Sequence, residues 1–177
     1  MQENTQVFRL GKQLKFNLLK MMRILFLSIF LVTNVWAQST STAEIEAFWE
    51  EAERQVTEGD YYAYAASFHD EAILVNGISD RSFPIQTALD GWKQGFDDTK
   101  SGKMTASVEF RFSKHIHGEL AAHETGIFRY AWQNEGEEPQ EVFIHFEALL
   151  SKSTGQWKML MEYQKAIATE EEWNAMN

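Results

Sequence analysis

At Met104 the spacing of apolar residues changes from every third or fourth position to every second, and that change constrains the fold more than any other feature. Met104, Ala106, Val108, Phe110 and Phe112 alternate with polar residues. The same period runs through Ala122–Trp132, Val142–Leu150 and Trp157–Tyr163. Side chains of a strand point to opposite faces in turn, so each segment reads as a strand with one apolar and one mixed face. Turn-like stretches at His117–Glu119, Asn134–Pro139 and Ser151–Gly155 separate them. Four such strands joined by short turns predict an antiparallel meander covered by helices on its apolar face.

The helices precede the meander. Ser41 and Glu44 have the spacing of a capping box, and Ile45, Phe48, Trp49, Ala52 and Val56 follow at helical spacing, predicting a helix over Ala43–Glu58. Gly59 then ends one helix and Asp60 caps the next. Tyr61, Tyr64, Ala65 and Phe68 predict about two to three helical turns. His69-Asp70-Glu71 breaks the pattern as a structural corner, and Ala72–Val75 is a short strand stopped by Asn76-Gly77. Ile78–Phe83 reads as a polar loop. Pro84 opens a third helix with Ile85, Leu89, Trp92 and Phe96 on one face. Thr169 and Glu172 predict a last capped turn. Three helices grouped before an antiparallel sheet mean α+β.

The first residues read as an export signal rather than as fold. Lys20 and Arg23 precede the apolar run Ile24–Val32, and Val35-Trp36-Ala37 supplies a cleavage site after Ala37. The run is too short for a comfortable membrane-spanning helix. Met21 and Met22 stand where such a signal normally starts, which suggests that residues 1–20 precede the true start codon. Residues 1–37 are therefore assigned as a signal peptide and 38–177 as one domain, secreted or periplasmic. The remainder holds 11 basic and 25 acidic residues, a net charge of −14. That balance argues against nucleic acid and anionic membrane surfaces as partners. With no cysteine, disulfides and thiol chemistry are excluded.

The order of these elements resembles the nuclear transport factor 2-like superfamily, and specifically its SnoaL-like domains of unassigned role. The resemblance rests on Gly59-Asp60, the Phe68-His69-Asp70-Glu71-Ala72 junction, the helix with Trp92 and Phe96, and Gly155-Gln156-Trp157-Lys158 entering the last strand. It covers Ala43–Ala166. It implies a cone-shaped barrel of three N-terminal helices packed on a curved, mainly antiparallel sheet, with a homodimer through the outer sheet face. In the ketosteroid isomerases of that superfamily the general base would fall on Asn76, one oxyanion donor on Ala52 and the second on Glu147. An amide cannot take up a proton at neutral pH, so classical isomerase chemistry is not expected.

Glu124 is the single charged residue on the apolar faces of the alternating segments. A carboxylate there must be hydrogen-bonded, reach the rim or titrate abnormally. The expected pocket lining is Asn76, Trp92, Glu124, Tyr130, Trp132, Met161 and Tyr163, a mixture that also suits a plain core. Arg129, His145, Glu147 and Glu162 fall on the mixed face, away from the helices. For Glu147 the alternation points outward, whereas the alignment with the isomerases points into the cone. His115, His117 and His123 are candidate metal ligands, since His-x-His puts two imidazoles on one strand face, but neither a metal nor a cofactor is expected. The leading expectation is an exported domain that binds a small, partly apolar molecule. The alternatives are an isomerase, cyclase or hydrolyase using Glu124 or Glu147 as acid or base, and a dimeric structural or interaction module.

Overall fold

The computed structural model describes residues 42–153 and 155–176, so the signal segment, the tail after it and the Ser41 cap lie outside the described residues. Helix α1 spans residues 42–58 and buries Ile45, Trp49, Ala52 and Val56, the face its periodicity predicts. Gly59 ends it at φ 66°, and a Cβ there would lie 2.5 Å from Lys100 N and Phe96 O. Only glycine meets both conditions, left-handed backbone and close approach of the backbone at Phe96 and Lys100. The Asp60 carboxylate accepts from Ala63 N (3.3 Å), starting α2 at Tyr61–Ala66, shorter than expected.

Strand β1 (Phe68–Asn76) begins where a corner was expected, because His69–Glu71 continue the strand through an irregular, largely exposed stretch. The expected polar loop contains β2 (Arg81–Pro84), an edge strand paired antiparallel with β1. A four-residue edge strand with one partly buried apolar side chain carries almost no periodic signal. Helix α3 (Ile85–Lys100) begins right after Pro84. Strands β3 (Met104–His117), β4 (Ala121–Asn134), β5 (Gln140–Ser151) and β6 (Lys158–Ala168) form the meander. The sheet order is β2-β1-β6-β5-β4-β3, with β1 parallel to β6 and every other pair antiparallel.

The apolar face packs on the helices around Trp49, Phe68, Leu89 and Phe146, with several aromatic edge contacts such as Trp49–Phe146 at 5.8 Å. Helix α4 (Glu170–Asn174) has the predicted capping box and lays Trp173 on Ile127 and Phe143 on the opposite face.

Three irregularities in strand pairing decide which side chains face inward. Leu149 pairs with Met161 but Leu150 with Met159, so Leu160 is an extra residue of β6. His145 pairs with Ala166 but Phe146 with Gln164, which makes Lys165 a second extra residue. On β3, Phe112 pairs with Gly126 and Lys114 with Thr125, so Ser113 bulges. One extra residue inverts every side chain beyond it until the next irregularity. The expected alternation of β6 therefore holds through Met159 and then reverses.

Candidate functional site

A cavity of about 480 Å³ opens between α3 and the meander. Its walls are apolar and largely aromatic: Trp92 and Phe96 from α3, Phe128, Tyr130 and Trp132 from β4. Val56 and Tyr64 close it from α1 and α2, and Met104, Ala106 and Val108 from β3. Tyr130 and Trp132 stack with ring centroids 5.3 Å apart. The volume falls within the range of small-molecule pockets. Gly91 and Gly95 help to keep it open, because α3 presents no side chain at these two positions, one turn apart.

The polar end belongs to β6. Glu162 is only 7% exposed, yet lines the cavity together with Gln164, whose Nε2 donates to Glu162 Oε1 at 2.7 Å. Burial pushes the Glu162 carboxyl above its ordinary range, and the Gln164 bond opposes this only in part. Burial, then the nearby Glu162 charge, raises the Tyr64 hydroxyl as well. Tyr130 is raised by burial alone. Both shifts keep the tyrosines as hydroxyl groups, and burial makes the Glu162 carboxyl hold a proton more readily than an exposed glutamate.

Glu162 was expected on the mixed face, and the structure corrects that. The Leu160 bulge turns it inward opposite Ala148, while Met161 and Tyr163, expected in the pocket, turn to the other face. Trp92, Tyr130 and Trp132 line the cavity. Asn76 lies at the end of β1, where its side chain accepts from Ser79 N at 3.0 Å, outside the cavity lining. Glu124 is fully buried, away from that lining, with His115 and His117 at its carboxylate. Glu147 lies on the opposite face, where Lys165 Nζ (2.7 Å) and then His123 hold its pKa down. The three histidines are thus divided: His123 sits with Glu147, His115 and His117 with Glu124. Ala52, standing where the isomerases carry a tyrosine, is a buried contact of α1.

Several solved structures share the overall fold of this chain. A conserved protein from Planctomyces limnophilus superposes with a TM-score of 0.61 at 11% identity, covering 71% of this chain and 94% of its own. An NTF-2 like protein of unknown function from Shewanella oneidensis gives 0.53 at 17% identity, over 69% and 96%. The chain has the nuclear transport factor 2-like fold. The β subunit of benzoate 1,2-dioxygenase from Burkholderia mallei shares this nuclear transport factor 2-like architecture, with a TM-score of 0.58 at 11% identity over 74% and 91%. No family model matches the sequence, and no curated protein does. At these identities the likeness is one of fold, so function rests on the cavity itself.

Proposed function

We propose that this chain is an exported domain that binds one small, partly apolar molecule in the cavity between α3 and β3–β6, acting as a homodimer. The observation that carries the reading is an aromatic cavity of about 480 Å³ with one buried carboxyl group at its polar end. Such a site favours a flat hydrophobic body with a hydroxyl or carbonyl group that reaches Glu162, Gln164 or Tyr64. An anionic ligand head would meet no lysine or arginine among the described lining residues. Export is supported by the basic, apolar and small-residue order of residues 20–37.

A second reading is acid–base catalysis by Glu162. A carboxyl group whose pKa is raised by burial and that faces an apolar cavity is suited to general acid–base proton transfer. Glu162 replaces Glu124 and Glu147 in that role because it alone of the three lines the cavity.

Native mass spectrometry of the protein recovered from the medium or periplasm tests the proposal. The expected species is a dimer of chains beginning at Gln38, carrying a small molecule that organic solvent releases. Retention in the cytoplasm with residues 1–37 intact contradicts export, a monomer contradicts the dimer, and failure to take up any apolar probe contradicts binding.

A further inference from the structure

At the far end of β3, two imidazoles converge on a carboxylate that has no contact with solvent. His115 pairs with Glu124 across the β3–β4 hairpin, and His117 with Ala122. His115 Nδ1 lies 2.5 Å from Glu124 Oε2, and His117 Nε2 is in hydrogen-bond contact with Oε1. Glu124 is 0% exposed, His117 is nearly buried, and the His115 side chain is 53% exposed.

The backbone is specially shaped to achieve this. After Phe110 and Phe112, simple alternation would send Lys114 and Ile116 inward. The extra residue Ser113 reverses the order and delivers His115 and His117 to the Glu124 face. Gly126 permits the bulge, since a Cβ there would stand 2.1 Å from Arg111 O. Sequence alternation alone separates these residues; the bulge reunites them.

We propose that His115 Nδ1, His117 Nε2 and the Glu124 carboxylate bind one divalent transition-metal ion of zinc type. The ligand atoms all lie within 4.8 Å of one another. Bonds of about 2.0–2.2 Å set neighbouring ligands of a tetrahedral ion a little over about 3 Å apart, so small side-chain rotations admit it. Two imidazoles with one carboxylate favour zinc, copper or nickel over magnesium or calcium, which take oxygen ligands.

Charge points the same way. Among the described residues Glu124 is held by these two rings, and no lysine or arginine forms an ion pair with it. Neutral imidazoles hydrogen-bond the carboxylate but leave its charge uncompensated. Two imidazolium rings would repel, their centroids being 5.4 Å apart. A dication satisfies all three groups at once. Thr42 Oγ1, 3.2 Å from His117 Nδ1, fixes that ring so that Nε2 faces the site. The exposed His115 side leaves room for water as a further ligand. The ion would tie β3 to β4 and, through Thr42, to the start of α1.

The test is titration of the chelator-treated, full exported chain with zinc chloride, followed by calorimetry and thermal melting. The expected result is one zinc per chain and a higher melting temperature, with magnesium chloride giving neither. His115→Ala, on a half-exposed side chain, should melt like the untreated metal-free protein and bind zinc at least tenfold more weakly. Histidine NMR of the wild type should show zinc moving the ring resonances of His115 and His117 while sparing His69 and His145. Absence of stoichiometric binding, undiminished affinity in His115→Ala, or shifts confined to the other histidines would each overturn the site.

Discussion

Replacing Glu162 with glutamine should stabilise the protein, and by an amount that grows with pH. Glu162 is 7% exposed and its carboxylate accepts from one neutral donor, Gln164 Nε2 at 2.7 Å. Burial therefore raises its pKa in the folded chain. In the unfolded chain it titrates near about 4.3. Between those two values the folded state keeps a proton that the unfolded state has released, so stability falls as pH rises through the window. One proton corresponds to a slope of at most about 1.4 kcal/mol per pH unit. Glutamine has the same shape, still accepts from Gln164 and has nothing to titrate. The two proteins should be nearly equal at a pH below the unfolded value. The variant should then gain steadily and level off once the folded carboxyl group is ionised. For a domain of this size each kcal/mol moves the melting midpoint by roughly 2–8 °C. Urea denaturation of both proteins from pH 4 to 8 gives the difference directly, and the other titrating groups cancel. A difference that stays flat with pH, or that grows on acidification, refutes a buried carboxyl at this position.

Three glycine substitutions test the backbone geometry. Gly126→Ala should cost about 3 kcal/mol or more in urea denaturation, because its Cβ would meet the Arg111 carbonyl at 2.1 Å and backbone cannot rotate away. Gly91→Ala should instead add about 0.5–1 kcal/mol, since its Cβ meets nothing within 4 Å and α3 gains a better helix former. Gly59→Ala is the internal contrast and should lose about 2 kcal/mol or more, combining φ 66° with a contact of 2.5 Å to Lys100 N.

The helices and the meander were legible because each carries many residues at one period. Ile45, Trp49, Ala52 and Val56 are all buried as their spacing requires. Strand β2 was invisible because four mainly exposed residues at an edge have no period to read. The cavity acid was misplaced for a different reason. A bulge leaves composition untouched and inverts the face, so Glu162 read as outward and Met161 as inward. One signal was present: Met159-Leu160-Met161 puts three apolar residues in succession where alternation allows none. The Ser113 bulge hid the approach of His115 and His117 to Glu124 in the same way, and there Gly126 was the only mark.

The cavity is the centre of this account, and a saturation titration with the apolar fluorescent dye Nile red tests it most directly. Wild type should bind one dye per chain, with emission shifted to the blue. Gly95→Leu places a branched side chain into the cavity from α3, beside Met104, while favouring the helix. It should fold normally and bind at least tenfold more weakly. Equal binding by the two proteins, or no saturable binding by the wild type, contradicts a ligand cavity between α3 and the sheet.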